Sequence, residues 1–522
     1  MSQTTIGKYR WTIVALLLFS TTINYMDRQV IGYLKPLLTE DFGWTNSDFA
    51  FITSCFTAFY AGITIVAGWV IDKIGTKLGL ALSLIIWSVF GMLNSICGRA
   101  VWGHAVIRSL FGIGEAGNFP ASIKTVAEWF PKRERALATG IFNSGANIGA
   151  MIASLVVPII ATKVWFGGAV PGWKMAYIIT GAVGFFWLIF WFIFYAPPAQ
   201  QKRLGKAEYD YIHSDEIAEQ KPTVDGDTAK KVSWGKLFGF RQTWAFFTGK
   251  FLTDGIWWFL LFWLPDYLQK QFGMTTHEVM WPTFIVYFIS IAGSVFGGSI
   301  PMFFMNKGIE AYKARMTAMF LIAIFPLSVL TTQYFGNVEH FGSNAATYAI
   351  IVICIAAAAH QAWSANLFTT VSDMFPKKSV ASVTGIGGMA GGLGGVLIQQ
   401  LAGKITDTFQ FAGIDKSWAA GKAAGLTDYV NKLQTTQFIN KHNEVINVSK
   451  VTIQNMSKEV IAQLQHIDST SFEAFKKIQI ATVQPEMSHA YGIMFGICAT
   501  SYIVAWCIMK ALVPKYAPIT DL

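Results

Sequence analysis

Glu128-Trp129-Phe130-Pro131-Lys132-Arg133 recurs 245 residues later (373 − 128) as Asp373-Met374-Phe375-Pro376-Lys377-Lys378. The same offset aligns Thr139-Gly140-Ile141 with Thr384-Gly385-Ile386. So many matches at one offset indicate that the chain contains an internal repeat. Both copies join two long apolar stretches, which therefore occupy equivalent places in the two halves of the chain.

The composition is that of a membrane protein. Of the 522 residues, 53% are hydrophobic and only 13% are charged, whereas soluble proteins average about 25% charged residues. The five cysteines are odd in number and lie in apolar segments, so neither a disulfide framework nor a metal site is indicated. No cofactor motif stands out, and we expect the protein not to be an enzyme.

Twelve membrane spans are expected, since a helix needs about 20 residues to cross a bilayer. Their approximate ranges are 11–36, 49–71, 78–98, 101–126, 135–161, 174–195, 242–268, 279–304, 314–335, 344–371, 380–406 and 487–511. The first apolar run is too long for a cleavable signal peptide and carries Asp27 and Arg28. The fold class is therefore an all-α membrane protein with twelve transmembrane helices in two six-helix pseudo-repeats.

Basic residues alternate between the two sets of short connections. Lysine and arginine are concentrated before span 1, in the connections after spans 2, 4, 8 and 10, in the 196–241 connection and after span 12. The positive-inside rule then places both termini and the 196–241 connection in the cytoplasm. This topology explains much of the formal charge of +10 without a nucleic-acid partner. We expect a multi-pass, monomeric protein of the bacterial inner (cytoplasmic) membrane.

Five segments follow from this reading. They are an N-terminal six-helix bundle (1–195), a cytoplasmic linker (196–241), helices 7–11 of the C-terminal bundle (242–406), an extracytoplasmic insertion (407–486), and helix 12 with a cytoplasmic tail (487–522). Apolar residues at helical spacing between Met456 and Ile467 predict a small helical insertion. Thr470-Ser471-Phe472-Glu473 has the pattern of a capping box. Parallel repeats of this kind are typical of transporters with the substrate site between the halves.

Two spans carry intramembrane charges. Asp27 and Arg28 lie in span 1, and Arg108 and Glu115 lie seven residues apart in span 4, on one helix face and about 10 Å apart. Such residues mark a functional site by default, although an ion pair that only holds helices together is the alternative. Desolvation favours a neutral carboxyl and a nearby guanidinium favours an ionised one, so the four side chains could load and release a proton.

Other polar and aromatic side chains in the spans could recognise a ligand. These candidates are Tyr60, Asn143, Asn147, Trp257, His360, Gln361 and Ser364. For each, hydrogen bonding or packing between helices is the competing interpretation. Lys250 and Asp254, and likewise Lys124 and Glu128, have the i,i+4 spacing of an ion pair.

One glycine motif is misleading. Gly112-Ile113-Gly114-Glu115-Ala116-Gly117 is a literal GxGxxG, but a dinucleotide site needs a preceding strand. In a membrane span, small residues allow helices to approach closely. We therefore expect helix packing here.

Several motifs resemble a known family. Gly68-Trp69-Val70-Ile71-Asp72-Lys73-Ile74-Gly75-Thr76-Lys77 resembles the major facilitator superfamily (MFS) signature between spans 2 and 3. The stretches 25–28, 115–120, 128–131, 262–265 and 359–362 resemble the anion:cation symporter branch, in particular hexuronate and other sugar-acid permeases. The resemblance covers nearly the whole chain except the 407–486 insertion.

The resemblance implies a function and roles for individual residues. The branch takes up organic anions with protons or sodium, which implies proton-coupled import of a hexuronate by alternating access. It implies that Asp27 and Glu115 are proton-linked and that Arg108 pairs with Glu115. Because a guanidinium matches a carboxylate in geometry, Arg28 is the expected contact of the substrate carboxylate. Asp72, Lys73 and Lys77 are expected to form a breakable gating latch.

Three alternatives stay open at this point. The substrate could be an aldonate or another carboxylate, and the coupling ion could be sodium. A non-transporting sensor on the same fold is a different class, which a buried Asp27/Glu115 pair disfavours. An efflux pump for cations fits poorly with two intramembrane arginines.

Overall fold

The computed structural model describes residues 7–214, 234–439, 445–446, 448–449, 451–453 and 456–519. Part of the predicted linker, residues 215–233, lies outside the described residues. So do residues 440–444, 447, 450 and 454–455 of the predicted insertion.

The first half of the chain forms six long helical segments. Its helices are α1 (Tyr9–Phe42), α2 (Asn46–Ile74), α3 (Thr76–Leu93), α4 (Val101–Glu115), α5 (Asn118–Trp129), α6 (Lys132–Thr162) and α7 (Gly172–Phe194), followed by the short linker helices α8 (Lys206–Ile212) and α9 (Trp234–Leu237). Helices α4 and α5 together make the fourth predicted span, which is interrupted directly after Glu115.

The second half repeats this arrangement. Its helices are α10 (Arg241–Phe272), α11 (Met280–Asn306), α12 (Ala311–Ile324), α13 (Thr332–Phe335), α14 (Val338–Phe341), α15 (Ala345–Met374), α16 (Lys377–Ala423), α17 (Thr427–Thr435), α18 (Lys458–Ile467) and α19 (Ser469–Leu512). A two-stranded antiparallel sheet pairs β1 (Phe438–Ile439) with β2 (Val445–Ile446). Twelve long helical segments among the described residues match the twelve predicted spans.

Length and apolar composition alone identify fewer of these spans. Seven described helices are long and apolar enough to cross a membrane, and α2 adds an eighth if its two parts, bent by 52°, form one span. The other helices carry charged residues, such as Asp27, Arg28 and Lys35 in α1 and Lys250 and Asp254 in α10. Buried charges of this kind lower the mean hydropathy of a span.

Local sequence signals define several helix ends. Thr45 and Asp48 form a capping box at the start of α2: the Asp48 backbone N–H donates to the Thr45 hydroxyl, and the Thr45 N–H donates to the Asp48 carboxylate. Gly43 ends α1 with φ of 68°, a conformation that glycine adopts without strain. Pro131 and Pro376 precede α6 and α16, so the repeated motif marks the same helix start in both halves.

The insertion is built on two membrane helices rather than separated from them. Helix α16 continues to Ala423 and α19 begins at Ser469, well beyond the predicted span limits of 406 and 487. Trp418 and Phe475 stack with ring centroids 5.1 Å apart and tie these extensions together. The predicted apolar periodicity belongs to α18, whose Val460 and Leu464 are buried.

The predicted capping box at Thr470–Glu473 is wrong. The N-cap of α19 is Asp468, whose side chain accepts hydrogen bonds from the backbone N–H groups of Thr470 and Ser471. An aspartate two residues upstream supplies a better acceptor than the threonine. The hydroxyl and backbone N–H of Ser471 lower the pKa of the Asp468 carboxyl.

The positions of the insertion and of the first and last helix ends distinguish the two ends of the helix bundle. We call the side where α1 ends and the insertion lies the insertion side, and the side where Tyr9 begins α1 and Leu512 ends α19 the terminal side. The two halves pack against each other along α2 and α16, α6 and α11, and α1 and α10. The seam between the halves therefore runs through the centre of the bundle.

Candidate substrate-binding site

A buried ion pair joins the first and fourth spans. Arg28 Nε of α1 lies 2.8 Å from Glu115 Oε2 at the end of α4, and the two side chains are 2% and 0% exposed. A charged pair so buried must offset a large desolvation cost through close contact and further hydrogen bonds. The amide oxygen of Asn24 accepts a second hydrogen bond from Arg28 Nη2 at 3.4 Å.

Arg28 also lies among four aromatic rings, which we call the Arg28 cage. Its guanidinium carbon is 4.3 Å from the ring centroid of Tyr25, 4.5 Å from Tyr60, 5.6 Å from Phe56 and 5.2 Å from Trp258. Rings at these distances stabilise a cation through their negative faces. Trp258 belongs to the second half, so the Arg28 cage spans the seam.

The sequence predicts a ligand contact at Trp257, the residue adjacent to Trp258. Trp257 does not contact Arg28 but stacks on His360, with ring centroids 5.3 Å apart and planes within 5°. His360 Nδ1 lies 2.8 Å from the hydroxyl oxygen of Tyr502. Because Trp257 and Trp258 are adjacent, only the rotation of α10 in the bundle decides which ring reaches the seam.

The pairing that the family resemblance implied for Arg108 differs in the structure. Glu115 pairs with Arg28, while Arg108 Nη2 donates to the Tyr177 hydroxyl at 3.4 Å and its guanidinium lies 4.9 Å from the Phe111 ring. Asp27 is buried, and both its carboxylate oxygens lack a hydrogen-bond partner among the described residues. The four charges are thus close together without forming two matched pairs.

The remaining candidates are spread over both halves. On α6, Asn143 is exposed, whereas the Asn147 amide oxygen accepts a hydrogen bond of 3.4 Å from Ser290 of α11 across the seam. Gln361 and Ser364 of α15 are half-buried. The structure therefore gathers Arg28, Glu115 and Tyr60 at one point and places the other candidates around it.

Comparison with known proteins assigns the fold to a family. The model of the Major Facilitator Superfamily matches residues 17–398, which is most of the chain. The chain belongs to the Major Facilitator Superfamily. It is accordingly a multi-pass membrane transporter, and the match ends before the insertion.

Curated relatives come from the same family. A hexuronate transporter of Escherichia coli K12 is 33% identical over 405 residues, covering 77% of this chain and 89% of the relative. A galacturonate transporter of Dickeya chrysanthemi is 32% identical, covering 57% and 83%. A D-galactonate transporter of Escherichia coli O6:H1 is 25% identical, covering 78% and 91%.

Solved structures support the fold. A bacterial homologue of the human lysosomal transporter Spinster has a TM-score of 0.69 at 18% identity, covering 98% of this chain and 100% of that one. A D-xylose–proton symporter has a TM-score of 0.57 at 15% identity, covering 76% and 90%. At these identities the likeness concerns the MFS fold alone.

The residues expected to form the MFS latch make contacts within the first half. Asp72 Oδ1 lies 3.0 Å from Lys124 Nζ, and Lys73 Nζ lies 3.8 Å from the Trp69 ring centroid. Lys77 Nζ is 5.9 Å from the Phe192 ring. The gating role of Asp72, Lys73 and Lys77 stays a prediction.

One of the two predicted i,i+4 ion pairs is present. Lys250 and Asp254 are paired, as their spacing in α10 indicates. The expected Lys124–Glu128 pair is wrong, because Lys124 bonds Asp72 instead and the Glu128 carboxylate accepts hydrogen bonds from the hydroxyls of Thr76 and Tyr195. These three partners come from α2, α3 and the end of α7, and a spacing rule within one helix does not consider them.

The GxGxxG motif serves helix packing, as expected. A Cβ at Gly114 would lie 2.5 Å from the backbone nitrogen of Trp87, and one at Gly112 would lie 2.7 Å from the Phe56 carbonyl oxygen. Side chains at these positions would push α2 and α3 away from α4. The motif therefore brings the α4 backbone close to its neighbours and helps to place Glu115.

Proposed function

We propose that this MFS protein imports a sugar acid, specifically a hexuronate such as glucuronate or galacturonate, by proton-coupled symport with alternating access. The observation that carries the proposal is the Arg28 cage, in which one buried guanidinium at the seam is shared by a carboxylate and aromatic rings from both halves. Relatives named as a hexuronate transporter (33% identical) and a galacturonate transporter (32% identical) support this substrate class, and a probable sulfoacetate transporter of Cupriavidus necator, 31% identical, is likewise named for an organic anion.

The chemistry of the cage suits a sugar acid. A guanidinium forms two parallel hydrogen bonds to a carboxylate, so the substrate carboxylate competes with Glu115 for Arg28. The rings of Tyr60 and Trp258 offer apolar faces on which the C–H surface of a pyranose can pack. Because these rings come from α2 and α10, a bound sugar would contact both halves at once.

The ion pair also suggests how a proton is coupled. When the substrate carboxylate takes Arg28, Glu115 loses its cationic partner in a site with little exposure to solvent. A carboxyl group in that situation favours its neutral form, so substrate binding and proton uptake by Glu115 support each other. Asp27, which is buried and lacks a hydrogen-bond partner among the described residues, is the second proton-linked group in this scheme.

We further propose the membrane orientation given by the positive-inside rule. Both termini and the linker then face the cytoplasm, and the insertion lies on the extracytoplasmic side of the inner membrane. Labelling intact cells and inverted vesicles with an impermeant maleimide tests this orientation with single cysteines at Lys416 in the insertion and Lys236 before α10. Labelling of Lys416→Cys only in inverted vesicles would reverse the assignment.

The deciding experiment is uptake into proteoliposomes. Labelled glucuronate or galacturonate is supplied outside, with an imposed inward proton gradient and with or without sodium. We expect accumulation above the outside concentration that collapses when a protonophore is added. Accumulation that depends on sodium instead would show that sodium, not the proton, is the coupling ion. If neither hexuronate is taken up, the proposal of a hexuronate as the substrate is wrong.

An aldonate is the second candidate, favoured by the D-galactonate transporter among the relatives. Aldonates and hexuronates share the carboxylate that Arg28 would bind, and they differ in the closed ring that Trp258 and Tyr60 would contact. Competition by unlabelled gluconate and galactonate in the same assay distinguishes the two classes.

A further inference from the structure

A cluster of charged side chains bridges the halves on the insertion side of the Arg28 cage. Lys35 Nζ of α1 lies 2.7 Å from Asp266 Oδ2 of α10, and Lys270 Nζ lies 3.2 Å from the same oxygen. The Lys35 and Asp266 side chains are 2% and 4% exposed. We call Lys35, Asp266 and Lys270 the insertion-side ion cluster.

The cluster lies directly between the Arg28 cage and the insertion side. Lys35 follows Arg28 by seven residues, which is two helical turns or about 10 Å along α1. Lys35 Nζ is 3.9 Å from the ring centroid of Trp263 and 5.0 Å from that of Phe49. These two rings themselves contact edge to face at 5.5 Å. Charged and aromatic side chains together fill the seam at this level.

The same part of the seam holds the start of α2. Lys270 Nζ donates to the side-chain oxygen of Asn46 at 2.8 Å. The two carboxylate oxygens of Asp407 on α16 accept hydrogen bonds from the backbone N–H groups of Asn46 and Ser47, both at 2.8 Å. A carboxylate at a helix N-terminus is stabilised by the unpaired N–H groups and the helix dipole, so the second half caps a helix of the first.

The insertion is directly connected to these contacts. Tyr491 on α19 donates its hydroxyl hydrogen to Asp266, and Asp407 belongs to α16. Both helices continue without a break into the insertion. Within the insertion, Ile446 of β2 reaches the turn after α1, since a Cβ at Gly43 would lie 3.4 Å from Ile446 Cδ1.

Ion pairs on the terminal side have a different character. Arg10 Nε and Glu134 Oε2, 2.9 Å apart, both belong to the first half. Arg315 Nε and Asp373 Oδ2, 2.8 Å apart, both belong to the second. Each of these two pairs of described residues lies within one half, whereas the insertion-side ion cluster joins both halves.

We propose that the insertion-side ion cluster is the lock that closes the site to the insertion side, so that Lys35 must leave Asp266 before a substrate can enter from there. The proposal rests on the proposed alternating-access function. Separation of the halves takes both Asp266 and Trp263 of α10 away from Lys35 and leaves its ammonium beside Phe49 of α2. A buried unpaired charge is strongly unfavourable. The closed arrangement is therefore favoured until water reaches the cluster.

A cross-linking assay tests the lock without measuring transport. The full-length protein, with its five cysteines replaced by alanine, receives Ser54→Cys and Gln400→Cys, whose native side chains are hydrogen bonded across the seam at 2.9 Å. A short bis-methanethiosulfonate reagent then reports closure of the insertion side. The cluster is changed by Lys35→Asp, by Asp266→Lys, and by both together.

We expect each single charge reversal to reduce the cross-linked fraction by about threefold or more, because it places like charges together. The double reversal restores one carboxylate facing two lysines and should recover most of the cross-linking. The control Lys416→Asp breaks the Lys416–Glu486 pair of the insertion, where Lys416 is 62% exposed, and should leave the fraction unchanged.

Wild-type cross-linking in both single variants would overturn the proposal, and so would failure of the double reversal to restore it. If a charge reversal does not yield folded protein, the milder Asp266→Asn tests the same contact, because it removes the carboxylate that faces Lys35 and Lys270; reduced cross-linking is again expected. A wild type that cross-links normally but transports no sugar acid would contradict only the proposed function. Normal transport with unresponsive cross-linking would contradict only the lock.

Discussion

Arg28 combines two properties that oppose each other in a membrane protein. Its guanidinium is removed from water, yet it contacts Glu115 at 2.8 Å and four aromatic rings. The rings and the carboxylate together replace the lost hydration. In the proposed function, a ligand carboxylate would take the place of Glu115 without leaving the cation bare, because the aromatic rings remain around it.

Replacing Arg28 tests the geometry of carboxylate recognition. We expect Arg28→Lys to lower the affinity for glucuronate by about tenfold or more, because an ammonium cannot form the two parallel hydrogen bonds of a guanidinium. Equilibrium binding to purified protein measures the effect. Arg203→Gln, a change at an exposed linker arginine, is the control. Unchanged affinity of Arg28→Lys would remove Arg28 from the binding site.

A role of Glu115 in proton coupling can be tested separately from a role in substrate binding. We expect Glu115→Gln to keep glucuronate exchange across proteoliposomes but to lose accumulation driven by a proton gradient, because an amide cannot take up the coupled proton. The control is Glu339→Gln at an exposed position. Full accumulation in Glu115→Gln would exclude Glu115 as the proton-linked group.

Among the helices, the closeness of α1 and α6 positions the cage. A Cβ at Gly149 of α6 would lie 2.3 Å from the Thr22 carbonyl oxygen and 2.9 Å from the Tyr25 Cβ. Tyr25 is itself one of the cage rings. Gly149 therefore affects the position of Arg28 indirectly, because it determines how closely α1 can approach α6.

Two glycines of α6 provide a matched pair of positions for testing the close approach of α1 and α6. We expect Gly149→Ala to destabilise the protein by about 1–3 kcal/mol, because the added methyl group forces α1 and α6 apart. Gly140→Ala should be neutral or slightly stabilising, since a Cβ there meets no atom within 4 Å and alanine favours helix. Thermal unfolding in detergent compares the two variants. Equal melting temperatures would contradict the close approach.

At the scale of the whole molecule, the insertion extends two membrane helices out of the bundle. Beyond Asp407, α16 continues for 16 more residues to Ala423 (423 − 407), or about 24 Å at the rise of an α-helix. The small sheet and α18 lie in the chain between these two extensions, within residues 426–467. The insertion thus continues two helices of the second half and also touches the first half at Gly43.

Replacing residues 426–467 tests whether this part of the insertion contributes to substrate binding. We expect a variant in which residues 426–467 are replaced by a short glycine–serine linker to bind glucuronate with wild-type affinity, because the helices that carry the cage remain. Lys35, Asp266 and Lys270 lie outside the replaced residues, so the insertion-side ion cluster is kept, and so are its neighbours Asp407 and Tyr491. A tenfold loss of affinity would instead show that residues 426–467 form part of the binding site.

Much of the architecture could be predicted from the sequence because its signals are local or repeat along the chain. The length of the apolar runs, the repeat around Glu128 and Asp373, and the proline before α6 and α16 each indicate a helix or its start without knowledge of neighbours. The intramembrane charges of α1 and α4 pointed to the site for the same reason. A charge in an apolar span requires a partner wherever that partner lies.

The partners themselves were decided only by the tertiary structure. Arg28 rather than Arg108 pairs with Glu115, Trp258 rather than Trp257 completes the cage, and Lys35 meets Asp266 across 231 residues of sequence (266 − 35). Each outcome depends on the rotation and approach of helices that are distant in the chain. The sequence by itself determined which residues need a partner; the packing of the two halves determined which one they have, because contact distance is a property of the assembled bundle.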